Sequence, residues 1–201
     1  MTLKNTPARW GAVSQALHWL IVLLILGQGT VGLLMGGLAN GPDKIQGYAL
    51  HKSFGLTIFA LALLRLLWRW HAGTPRPVAG TPPWQQRAAW LSHALLYVLL
   101  FAIPLSGWVL NSAAGFPLQW FGLFNLPKIA ATSDGLHATA EQVHELLFWA
   151  LVAVALVHAG AALYHHIFQR DDTLARMLPR GWLRVDDAPV PTPLSGESRN
   201  A

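Results

Sequence analysis

Residues 144–158 read HELLFWALVAVALVH, an almost wholly apolar stretch that opens and closes on a histidine. The two imidazoles are fourteen residues apart, which on an α-helix is about 21 Å of rise and close to a whole number of turns. Both therefore project from one helix face, near opposite sides of a hydrocarbon core about 30 Å thick. Ionisable side chains within a membrane are costly and are read first as functional. The stretch predicts a spanning helix with one cofactor ligand toward each membrane face. Taken singly, either histidine serves equally well as an interfacial residue at a helix end, so the other helices decide.

The composition agrees with a membrane setting. Of 201 residues, 53% are hydrophobic and 11% charged, against about a quarter charged in a soluble domain. With no cysteine, disulfides, thiolate-held iron–sulfur clusters and CxxCH haem attachment are all excluded. Nine histidines remain, and neutral imidazole is the usual non-covalent haem ligand. Ten tryptophans suit the aromatic belts at the two membrane surfaces. The net charge of +5 reflects topology rather than nucleic-acid binding.

Outward from the opening stretch, four apolar segments predict an all-α, integral membrane four-helix bundle spanning 1–180. Its helices are expected at about 13–38, 48–70, 88–110 and 141–168. The first run is too long for a signal peptide and lacks a cleavage site. Asn40–Gln46, with Gly41–Pro42–Asp43, predicts a turn. His71–Gln86 is a proline-rich basic linker. The 111–139 connection, with Phe116, Trp120, Phe121 and Phe124, predicts an amphipathic cap on the membrane surface. Residues 181–201 predict a disordered tail. Eleven Lys and Arg residues lie in the N-terminus, the 65–87 region and the C-terminal tail, whereas Lys44, Lys52 and Lys128 lie on the other side. The positive-inside rule then makes both termini cytoplasmic and the other two loops periplasmic, for a bacterial inner-membrane protein.

Depth sorts the histidines into tiers. His51 and His144 share the periplasmic level, and His18 and His158 the cytoplasmic level. Ligands projecting inward from facing helices are how a bundle holds a cofactor, so each pair predicts the bis-imidazole ligation of one b-type haem. The fourteen-residue step recurs. It places Gly32 after His18, flanked by Gly29 and Gly36; Arg65 after His51; and Gly107 after His93, just beyond Pro104. The glycines would admit a porphyrin or serve close helix packing. Arg65 would pair with a haem propionate or simply obey the positive-inside rule. His93 and His165 compete for the cytoplasmic ligand role and are assigned instead to a quinone pocket or to proton delivery, as interfacial histidines otherwise. His166 and His71 are read as solvated, Tyr164 and Trp90 as belt residues, and His137 receives no role.

The words ALHWLIVLLIL, LHKSFG followed by RLLWR, SHALLYVLLFAIPLSGW and HELLFWALVAVALVHAGAALYHHIFQRDDTLARMLP resemble the bacterial cytochrome b561 family over residues 8–180. The resemblance implies a four-helix di-haem protein that exchanges electrons with ubiquinone. It implies the ligand pairs His18–His158 and His51–His144, with His93 and His165 near a quinone or the cytoplasmic haem. One branch of that family oxidises superoxide at the periplasmic face, where Lys44, Lys52 and Lys128 would attract the anion. Two other readings are an electron-transfer subunit that serves a periplasmic protein donor and, from another class, a histidine-lined metal or proton transporter. The transporter would require intramembrane acids, whereas Glu141 and Glu145 lie near a helix end.

Overall fold

The computed structural model describes residues 2–183. Four long helices dominate it: α1 (Ala12–Met35), α2 (Pro42–Ala72), α3 (Pro83–Ala113) and α4 (Asp134–Tyr164). Each contains a window apolar enough to cross a membrane, with mean hydropathy between 1.5 and 2.3. Four such helices make the chain a multi-pass membrane protein. The expected tail at 181–201 lies almost entirely outside the described residues.

Three helices begin earlier than apolar periodicity suggests, because polar start signals extend them beyond the hydrocarbon. α2 starts at Pro42, not near Tyr48, and α3 at Pro83, not near Ala88. Proline fits a first helical turn, where its missing N–H has no partner to lose. Asp43 also lies in the first turn of α2, at the positive end of its dipole. The turn expected over 40–46 therefore ends at Gly41. α4 starts at Asp134, not near Glu141, behind the N-cap Ser133, whose hydroxyl accepts from Leu136 N–H. At its far end α4 passes into a π-turn, His165–Gln169, closed by Arg170 at φ 52°. α3 runs unbroken through Pro104.

The connection before α4, expected as an amphipathic surface cap, takes strand rather than helical form. It contains an antiparallel hairpin, β1 (Leu118–Trp120) on β2 (Phe124–Leu126), with Gln119 opposite Asn125. Phe121 and Gly122, at φ 48° and 72°, occupy the centre of a turn closed by Leu123 N–H on Trp120 C=O. Paired positive φ values match the twist that a tight hairpin requires. The hairpin docks on α2: Phe121 N–H donates to Ser53 Oγ at 2.9 Å and Trp120 Nε1 to Thr57 Oγ1 at 3.1 Å. Phe54 meets Phe121 edge-on. These polar anchors hold it against the bundle.

At the opposite end the segments around the termini tie together. Arg9 donates to the carbonyls of Ala175 and Leu178 at 2.6 and 2.8 Å, and Trp19 Nε1 to Met177 O at 2.8 Å. Arg176 reaches Arg76 O in the α2–α3 linker at 2.8 Å. These two ends are called the hairpin end and the termini end below. Along the bundle α1 packs on α2 and α3 on α4, with a smaller α2–α3 contact. Leu146 and Leu156 are 70% and 69% exposed, as lipid-facing side chains should be.

Candidate functional site

Two pairs of imidazoles face each other across the bundle. At the hairpin end His51 of α2 and His144 of α4 have ring centres 6.2 Å apart, with planes at 76°. At the termini end His18 of α1 and His158 of α4 are 6.3 Å apart at 79°. An imidazole nitrogen binds a transition metal at about 2.0–2.1 Å and lies about 1.1 Å from its own ring centre, so rings on opposite sides of one ion stand about 6.3 Å apart. Directly hydrogen-bonded imidazoles would come about 1 Å closer, given the usual donor–acceptor distance. The separation within each pair is thus that of two imidazoles able to share one metal ion.

The hairpin-end pair has a built surround. His144 Nδ1 lies 3.0 Å from Ile103 O and 2.9 Å from Ser106 Oγ. A carbonyl can only accept, so Nδ1 carries the proton and Nε2 presents a lone pair across the bundle. Ser106 Oγ–H itself donates to Ile103 O at 2.8 Å, which leaves its oxygen free to accept from the same Nδ1–H. The two fourteen-step glycines line this tier. A Cβ on Gly32 would lie 3.0 Å from His51 Cε1, and one on Gly107 would lie 3.1 Å from His144 Cε1. Glycine here serves close approach to an imidazole. Gln28 Nε2 donates to His51 O and fixes α1 against α2 beside the site.

The termini end is more crowded. The His93 ring centre lies 5.2 Å from that of His158, so this tier contains three histidines. Arg65 bears electrostatically on all three. Its Nε donates to Tyr97 Oη at 3.3 Å, while Nη1 is buried with no partner among the described residues. A buried guanidinium fork with one arm unsatisfied suits a carboxylate, and haem propionates are carboxylates. His165 is apart from the cluster. Its Nδ1 meets Asp171 Oδ2 at 2.5 Å. Burial alone raises the Asp171 carboxyl, but hydrogen bonds from Thr173 and His165 outweigh it and hold the group below the usual carboxylate range. His166 is half-buried, not solvated, whereas His71 is exposed as expected.

Ser106, Tyr97, Gln28 and Asp171 were not singled out in the sequence. Tyr97 is legible in hindsight, four residues after His93 on the same helix face. Asp171 is not, because the π-turn breaks the periodicity that would have joined it to His165. Lys52, next to His51, is half-buried and donates to Asn111 Oδ1 at 3.2 Å. Lys44 is engaged with Gly36 O and Asn40 Oδ1, and Lys128 is exposed.

The family model described as prokaryotic cytochrome b561 matches residues 9–180. Cytochrome b561 homolog 2 of Escherichia coli strain K12 is 36% identical over 185 residues, covering 89% of this chain and 95% of that protein. Cytochrome b561 homolog 1 of the same strain is 33% identical over 170 residues, 82% and 93% of the two chains. A probable superoxide oxidase CybB of Yersinia pestis is 29% identical over 182 residues, 86% and 97% of the two chains.

Proposed function

This chain belongs to the prokaryotic cytochrome b561 family, whose haem carries electrons across the membrane, and from that premise we propose a di-haem route that reduces ubiquinone with electrons taken from superoxide at the hairpin end. The observation that supports it is the pair of ring separations, 6.2 and 6.3 Å, each the spacing of two imidazoles sharing one metal ion. When bound, haem supplies the one-electron redox centre of each tier. His51 with His144, and His18 with His158, would hold the two groups, and the two α4 histidines stand about 21 Å apart in rise. Ser106 and Ile103 O keep His144 in its ligating tautomer. Gly32 and Gly107 leave room beside the rings, and Arg65 offers its free arm to a propionate.

We take the termini end, with its excess of basic residues, as the cytoplasmic one, and in this reading electrons enter from the periplasm. Two superoxide ions each lose one electron and become dioxygen; one ubiquinone gains both electrons and takes two protons to become ubiquinol. Asp43, Asp134, Glu141 and Glu145 share the hairpin end with the three lysines, so the end as a whole is not cationic. Lys52 therefore counts most, being half-buried beside His51 and bonded to a neutral amide. His93, packed on His158, and His165, paired with Asp171, are the proposed quinone and proton-delivery residues.

A protein donor docking on the hairpin is the alternative. The purified protein, given superoxide and ubiquinone alone, discriminates: quinol formation supports the proposal, while haem reduction that needs an added protein supports the alternative. Two haems per chain are expected in the dithionite-reduced spectrum, and one or none would overturn the two-tier reading. The transporter reading is disfavoured by the apolar run between His144 and His158, which offers no polar path.

A further inference from the structure

We propose that His137 binds a propionate of the haem held by His51 and His144, an inference that rests on the two-tier reading above. His137 lies seven residues before His144 on α4, which is two turns, about 10 Å of rise and an angular offset of only about 20°. It therefore sits above the ligand on the same helix face, toward the hairpin end. Its Nδ1 is buried and has no hydrogen-bond partner among the described residues. Buried polar atoms are normally paired, and an exception calls for an explanation.

The other end of α4 supplies the comparison. His165 lies seven residues after His158, the mirror of the relation between His137 and His144. There Nδ1 meets the carboxylate of Asp171 at 2.5 Å. His137 has no such protein carboxylate. Asp134 and Glu141, three residues before and four after it, are exposed, and neither forms an ion pair with it. A haem held by His51 and His144 would carry propionates, and one of these would supply the carboxylate that Nδ1 lacks among the described residues. His137 also lies one turn into α4, at the end where the helix dipole favours an anion, although its own N–H is taken by Ser133 O at 2.9 Å. His137 thus acts as a positioning residue, and its donor replaces at the hairpin end what Arg65 offers at the termini end.

The test begins by counting haem per chain in the purified protein. A count other than two sinks the two-tier reading and leaves His137 aside. With two present, the component lost from the spectrum in His144→Ala identifies the haem of interest. His137→Ala should release that haem to an apoprotein acceptor about tenfold faster than wild type, as loss of a supporting hydrogen bond does at other metal sites. Its midpoint potential should fall, since a donor near the porphyrin favours the reduced, more negative form. The second haem should not change in either respect. His137→Gln, which keeps a donor, should recover part of both effects and decides the matter where the alanine variant folds poorly. Wild-type release rates and potentials in both variants, or equal changes in both haems, would overturn the proposal.

Discussion

Gly107→Ala is the sharpest probe of the hairpin-end tier, because it adds one methyl group against an imidazole that is itself held in place. The new Cβ would stand 3.1 Å from Cε1 and 3.4 Å from Nδ1 of His144. Carbon atoms rest at about 3.5–4.0 Å, so the ring must retreat by about 0.5 Å. It has nowhere easy to go, because Nδ1 is held by Ile103 O and Ser106 Oγ at 3.0 and 2.9 Å. Metal–ligand distances tolerate about 0.2 Å, so the displacement falls on the axial bond. A loss of 10- to 100-fold in affinity for that haem is expected, about 1.4–2.8 kcal/mol. Helix propensity works in the opposite direction, since alanine favours a helix interior over glycine by about 0.8–1 kcal/mol. Haem loss could not then be blamed on a weakened α3. The assay is haem per chain by pyridine haemochrome, with the dissociation rate of each haem followed separately. Gly32→Ala, 3.0 Å from His51 Cε1, should loosen the same haem from the other side. Retention of both haems at wild-type rates in both variants would refute the argument that these glycines exist to admit the ligated rings.

Three further outcomes test the site. His144→Ala should remove one haem and leave the other detectable by its reduced spectrum, and His158→Ala should do the converse; loss of neither would remove these residues as ligands. Arg65→Gln should lower the midpoint potential of the termini-end haem by removing a buried cation from that tier, with the other haem unshifted in a redox titration. Asp171→Asn should destabilise the protein at neutral pH but not in acid. A carboxyl held below its unfolded value, about 3.9, contributes stability that is fully present above that value and lost as pH falls through the folded one. Thermal unfolding in detergent, followed from neutrality down to about pH 3, should show the wild-type and variant curves converging only at the acid end.

The sequence carries the fold because a membrane makes length and hydropathy nearly sufficient: each backbone polar group must be satisfied inside its own segment, so an apolar run becomes a helix. Helix starts were the weaker part, since Pro42, Pro83 and Ser133 extend α2, α3 and α4 into water, where apolar periodicity gives no signal. The hairpin at 118–126 was missed for a related reason. Its three-residue strands are too short for an alternating pattern, and its anchors Ser53 and Thr57 are polar residues of a distant helix.

The juxtaposition of the tiers was legible for a stricter reason. α4 alone fixes two levels through His144 and His158, and any histidine on another helix must match one level or neither. That constraint brings His18 to His158 and His51 to His144 without knowledge of the packing. It cannot separate His93 from His18, because both start a helix at the same end. In the structure the two differ in distance from His158: the His18 ring centre stands 6.3 Å away and that of His93 5.2 Å. The His93 ring is thus the third imidazole of this tier, packed edge-on against His158. His165, seven residues beyond His158, is fixed differently: its Nδ1 meets the Asp171 carboxylate at 2.5 Å.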